Sequence, residues 1–174
     1  MDPANLVFLD ESGAKTNMTR LRGRAQRGRR VHAASPHGHW QTTTLISSIR
    51  SDGSSACMMV DGATDTEVFT IYVREVLMPT LRPGDLVVMD NLAAHKAPAV
   101  RNLIEGAGAQ IAFLPAYSPD LNPIEKMWSK VKERLRAAEA RTQQALIQAV
   151  ATALSSVTAQ DAIGWFTSCG YNLI

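Results

Sequence analysis

Two short apolar runs, each ending in an aspartate, limit what this chain can fold into more than any other feature. Asn5 to Leu9 (NLVFL) stops at Asp10, and Asp85 to Met89 (DLVVM) stops at Asp90. Both have the length and the β-branched or aromatic content of buried strands, so each aspartate falls at a strand's C-terminal end. An exit that needs only a polar stop is as well served by Asn, Ser or Gly, so the repeated aspartate points to a use for its charge. If the two strands are neighbours in a mixed α/β sheet, both carboxylates reach its carboxyl edge, where such sheets build their sites. A glutamate from a helix can complete the cluster. Three carboxylates that close repel one another unless cations lie between them, an arrangement suited to hard divalent metal.

The remaining elements follow from pattern. Trp40 to Ile49 and Ala56 to Val60, joined by Ser51-Asp52-Gly53-Ser54, read as an antiparallel hairpin. From Thr66 the apolar positions Val68, Ile71, Tyr72, Val76 and Leu77 predict a helix, closed by Pro79 and Pro83-Gly84. Pro98 to Glu105 reads as a second helix stopped by Gly106 and Gly108, and Gln110 to Leu114 as the last strand. Asn122 and Pro123 fit the cap and first position of a helix whose apolar stripe is Ile124, Met127, Trp128, Val131 and Leu135. Thr142 caps a helix carrying Leu146, Ile147, Val150 and Leu154, and Thr158 with Asp161 opens a shorter one with Trp165 and Phe166. The order is three strands, helix, strand, helix, strand, then helices, which fits one α/β domain; 174 residues that are 45% hydrophobic can bury a core for it.

Charge is distributed unevenly. Lys15 to His32 holds seven of the 18 Lys and Arg and no acid, leaving 11 basic against 16 acidic residues elsewhere. A mildly acidic body with one arginine-rich segment suits a protein that gathers acids at one place and phosphates at another, and arginine is the better phosphate fork. A solvated loop kept charged for solubility is the plainer alternative. Cys57 and Cys169 stand far apart without a Cys-x-x-Cys or Cys/His cluster, so neither zinc nor a disulfide is expected and both read as buried, reduced thiols. No signal-like start and no membrane-length apolar run is present, which predicts a soluble, non-secreted protein.

Three blocks carry a family resemblance: Phe8-Leu9-Asp10-Glu11-Ser12, then Met89-Asp90-Asn91 with His95, then Leu114 through Glu125 (LPAYSPDLNPIE) with Trp128. Together they resemble the catalytic blocks of mariner-like DDE transposases and their bacterial insertion-sequence relatives. Thirty-four residues separate Asp90 from Glu125, a spacing typical of that superfamily, and Arg27-Gly28 resembles a further recurrent element. The match covers roughly residues 5 to 137, and it departs at Arg24, where many relatives carry tryptophan. The resemblance implies a ribonuclease H-like fold: a five-stranded mixed sheet of order 3-2-1-4-5 flanked by helices, with extra C-terminal helices. It implies Asp10, Asp90 and Glu125 as ligands of two Mg²⁺ ions, with Mn²⁺ as a substitute, cutting DNA at transposon ends and joining the strand to target DNA. It also implies DNA as partner, a homodimer when active, neither a membrane nor a small-molecule substrate, and a cytoplasmic, nucleoid-associated location. Residues 1–174 would form a single catalytic domain, since nothing before Asp10 is long enough for the helix-turn-helix domains of such transposases.

Each assignment has a plainer competitor. Glu11 is an alternative to Asp10, although neighbours alternate faces along a strand. Asn122-x-x-Glu125 is spaced as a capping box, which would direct the glutamate to a backbone amide instead. Asn91 and His95 are possible accessory groups, His95 either touching a phosphate or simply packing, and Trp128 reads as core. Arg20, Arg22, Arg24, Arg27, Arg29 and Arg30, with Lys126, Lys130 and Arg134 on the helix, are candidate DNA contacts or a solvated face, and Asp61 and Asp65 read as loop and cap acids. The competing functions are a ribonuclease H-like nuclease or resolvase that only hydrolyses, and a non-catalytic DNA-binding module descended from a transposase.

Overall fold

In the computed structural model, which describes residues 2–34 and 36–172, the runs that lead to Asp10 and Asp90 lie in neighbouring strands in the middle of one sheet. The strands are β1 (Leu6–Lys15), β2 (Thr42–Ile49), β3 (Ser55–Asp61), β4 (Leu86–Met89) and β5 (Gln110–Phe113), in the order β3-β2-β1-β4-β5. β1 pairs antiparallel with β2, and β2 with β3; β1 runs parallel to β4, and β4 to β5. The helices are α1 (Thr66–Tyr72), α2 (Pro98–Gly106), α3 (Pro123–Ala138), α4 (Gln143–Ser155) and α5 (Ala159–Ser168). This is the ribonuclease H-like architecture expected, with its additional C-terminal helices.

Alternation along the central strands sorts the core into two layers. Phe8 and Val88 face one side, where they pack with Ile124, Met127, Trp128, Val131, Val150 and Phe166 of α3, α4 and α5. Val7, Leu9, Val87 and Met89 face the other, against Phe69, Tyr72 and Leu77 from α1 and the turns after it, and Val100 and Ile104 of α2. The Phe8 ring meets Phe166 at 5.3 Å and 87°, and Tyr171 at 4.9 Å. Such edge contacts add about 0.5–1.5 kcal/mol beyond burial and fix α5 over the sheet.

Caps and turns agree with the sequence in detail. Asp65 accepts from Val68 N–H to start α1, Thr142 from Ala145 N–H to start α4, and Thr158 and Asp161 form a reciprocal capping box on α5. In the β2–β3 turn Gly53 has φ 84°, and a β-carbon there would stand 3.0 Å from the Thr158 and Ala159 backbone, so the start of α5 rests on a turn only glycine permits.

Three expectations are corrected. β1 runs on to Lys15 rather than ending near Asp10, because its polar second half is fully paired with β2 out to Lys15↔Thr42. The core face of the first helical segment is Phe69, Tyr72, Val73 and Leu77, an i, i+3, i+4, i+8 set that leaves Ile71 off the face and exposed; α1 continues into a π turn at Val73–Leu77 and a 3-10 turn at Met78–Thr80. In α4 the buried positions are Leu146, Val150 and Ala153, and Ile147 is exposed. Cys169 is buried and Cys57 half-buried, both as free thiols. Among the described residues no helix is long and apolar enough to cross a membrane.

Candidate active site

Asp10 and Asp90 are brought together by backbone pairing. The parallel β1–β4 register runs Leu6↔Leu86, Val7↔Val87, Phe8↔Val88, and continued by two residues it sets Asp90 beside Asp10. Both lie in phase with Phe8 and Val88, on the α3 side of the sheet. Glu125 occupies the first turn of α3, which Ile124, Met127 and Trp128 anchor on that same side. All three carboxylates line one cleft of about 430 Å³, walled by the loops after β4 and β5.

The capping-box alternative for Glu125 does not form. Asn122 is the N-cap residue of α3 but makes no side-chain cap bond, and the Glu125 N–H donates to the Asn122 carbonyl at 3.2 Å. Pro123 removes one of the amide donors a cap would serve. The Glu125 carboxylate is therefore left to the cleft, where it is exposed.

Electrostatics record the burial of Asp10 first and the crowding of the acids second. Burial pushes the Asp10 carboxyl up from 3.8 to about 7; the Glu11 N–H opposes this, and the charges of Glu125 and Asp90 add to it. Asp90 Oδ1 accepts from the Leu92 N–H at 3.0 Å and lies 2.7 Å from His95 Nδ1. His95 is buried, its ring stacked against Phe69 at 4.3 Å, with Nε2 3.7 Å from Glu11 Oε1. Burial alone would lower the histidine's pKa, but Glu11 and Asp90 outweigh it and raise it above the usual value. Glu11 thus faces away from the cleft, toward the α1 layer, as alternation requires.

The donor set fits a hard divalent cation: three acidic side chains on one cleft, of which Asp10 is kept from ionising by burial and, to a lesser degree, by the charges of the other two. No trio of His, Cys, Asp or Glu side chains among the described residues is already gathered at metal-ligand spacing, so the acids share a cleft and not a closed cage.

The other candidates are placed as follows. Asn91 Nδ2 donates to the Leu114 carbonyl at 2.6 Å, bracing the two cleft loops together. His95 is too deeply buried to meet a phosphate and instead backs Asp90. Trp128 is core, 2% exposed. Arg20, Arg22, Arg24, Arg27, Arg29 and Arg30 are all exposed, in a segment without helix or strand. Arg141 holds the base of that segment through the Thr16 and Met18 carbonyls, and Arg20 and Arg22 lie along α3 near Glu133 and Arg136. Lys126 is half-buried beside Glu125, whereas Lys130 is engaged by Asp161 and the Ser156 carbonyl, so its charge is largely spent inside the fold. Asp61 meets Gln143 and Asp65 caps α1, neither near the cleft. Sequence reasoning missed Tyr117 and Leu92, exposed apolar side chains on the cleft wall; their only signal was position within the second and third blocks.

Residues 5–147 match the family model of the DDE superfamily endonucleases. No curated protein matches the chain in sequence. Among solved structures the fold is similar to the mariner Mos1 paired end complex with Mg, at a TM-score of 0.72 and 19% identity over 95% of this chain and 53% of that one. It is also similar to a pre-cleavage Mos1 transpososome (TM-score 0.72, 13% identity, 96% and 52%) and to the catalytic domain of Mos1 mariner transposase (0.66, 14%, 96% and 76%). At these identities the likeness concerns the fold. The chain spans about half the length of the first two relatives.

Proposed function

We propose, on the premise that this chain belongs to the DDE superfamily endonucleases, that it is the catalytic domain of a DNA transposase in which Asp10, Asp90 and Glu125 hold two magnesium ions. The observation that carries the proposal is the β1–β4 register, which brings two aspartates distant in sequence to one face of the sheet at the carboxyl end of β4, opposite a glutamate not engaged in capping. The Mos1 relatives solved with Mg and with Mn favour the same metals here. When bound, such a pair of ions supplies an activated hydroxyl and stabilises the leaving oxygen of an in-line displacement at phosphorus.

The chain's own groups prepare that chemistry. Asp10, whose burial keeps its carboxyl protonated up to about pH 7, would hold a cation in its deprotonated form. The Leu92 N–H fixes the orientation of Asp90 through Oδ1, with the buried His95 ring close behind it. Ile124, Met127 and Trp128 seat α3 and so set the height of Glu125 over the sheet. The Asn91–Leu114 bridge holds the cleft walls at a fixed separation. The exposed arginines of residues 20–30 hold DNA phosphates, giving affinity that weakens with salt and reads no bases. Pairing two transposon ends calls for a dimer of the active protein.

Nicking of supercoiled plasmid by the parent in Mg²⁺ or Mn²⁺, compared with Asp90→Asn, tests the site. Loss of at least about a hundredfold in rate is expected, as befits removal of a metal ligand. Equal cleavage by both proteins would overturn the assignment. Joining of a precut 3′-hydroxyl end to plasmid distinguishes a transposase from a nuclease that only hydrolyses.

A further inference from the structure

Tyr117 is 102% exposed on the wall of the cleft that holds the three carboxylates. Its φ of 59° lies in the left-handed region, which a bulky side chain rarely adopts and which costs energy to maintain. Glu139 is the other such residue among those described, and its reason is plain: it terminates α3 as a left-handed C-cap. Tyr117 ends no helix, and its ring gains no burial in return for the backbone it distorts. Leu92, 49% exposed, lines the same cleft from the loop after β4. Asn91 ties that loop to the Leu114 carbonyl, so both apolar side chains stand on walls that are braced to each other.

The Tyr117 hydroxyl could donate to a phosphate, but the flat ring face held outward beside acids matches the π-face of a base that has left its stack, a contact that Tyr117→Trp keeps and a hydroxyl contact does not. We propose that Tyr117, with Leu92 beside it, stacks on an unpaired nucleobase adjoining the phosphate that the three carboxylates address, and so positions the strand in the cleft. This rests on the nucleic-acid reading of the site given above. The strand is accordingly unpaired next to the reacting phosphate, and the contact is indifferent to base identity, because every base offers such a face.

The test is binding of the full chain in Mg²⁺, by fluorescence anisotropy, to a labelled oligothymidine of about 12 nucleotides and to a backbone of equal length whose bases are all replaced by abasic sites. The parent is expected to prefer the base-bearing strand by about 5- to 150-fold, the range of one stacked base. Tyr117→Ala should lose that preference while keeping its affinity for the abasic strand, and Tyr117→Trp should retain it. Tyr117→Gly, which relieves the left-handed strain, should lose the preference while melting at a higher temperature than the parent, separating the contact from any role in folding. A preference that survives Tyr117→Ala, or a parent without preference, overturns the proposal. Plasmid nicking run in parallel distinguishes the two readings: a parent that cleaves without base preference refutes the stacking role alone, and one that neither cleaves nor binds refutes both.

Discussion

Asp10→Asn should stabilise the metal-free protein, because it removes a charge the fold disfavours. Raising the carboxyl from 3.8 to about 7 corresponds to about 4 kcal/mol at alkaline pH, at about 1.4 kcal/mol per pH unit. Asp10 is only half-buried and the cleft admits water, so roughly half of this, ~2 kcal/mol, is the working figure. For a chain of this size that is about 4–8 °C in Tm. Between 3.8 and about 7 the unfolded chain has lost the Asp10 proton while the folded chain keeps it, so the parent loses stability as pH rises through that window and levels off above it. Asn at this position removes that slope. Scanning calorimetry in EDTA from about pH 4 to about pH 8 measures both curves, and added Mg²⁺ should raise the parent's Tm more than the variant's. Parallel curves for the two proteins, or an Asn variant no more stable than the parent at the alkaline end, would refute the claim that the fold disfavours a charged Asp10, by its burial first and by the neighbouring acids second.

Further outcomes follow from single contacts. Asp85 is 1% exposed, pairs with buried Arg50 and accepts from the Arg82 N–H; Asp85→Ala strands the guanidinium and should cost about 3–5 kcal/mol in urea unfolding, most of it recovered in Arg50→Met/Asp85→Leu. Phe166→Ala empties the seat of α5 on Phe8 and should cost about 3–5 kcal/mol, with α5 amides losing protection in hydrogen exchange. His95→Phe keeps a ring against Phe69 but removes the nitrogen behind Asp90, so the fold should persist while Mg²⁺ affinity, read by calorimetric titration, falls about 10- to 100-fold.

Much of this was readable from residues because local and tertiary signals coincide. The runs before Asp10 and Asp90 are apolar through their whole length, as strands covered on both faces must be, and the Thr and Asp caps of α1, α4 and α5 act within one turn. What escaped depends on distant partners. The second half of β1 is polar, and only its ladder to β2 makes it strand. On the first helical segment, by contrast, Phe69, Tyr72, Val73 and Leu77 already share an i, i+3, i+4, i+8 face, and Ile71 reads as core only because it is apolar. Glu125 was ambiguous because a capping box and an open carboxylate share one spacing; the direction of the Asn122 side chain decides between them. His95 was open for a similar reason, since Phe69 and Glu11, which bury and hold it, come from other elements.

The pairing of β1 with β4 also dictates where this protein tolerates changes in length. Deleting or inserting one residue within β4 would turn Asp90 through the sheet toward the α1 layer, away from Glu125, while leaving the composition almost untouched. The long connection between β1 and β2 has no such phase to keep, so tags or whole domains grafted there should spare the cleft, whereas the two central strands admit substitution but not indels.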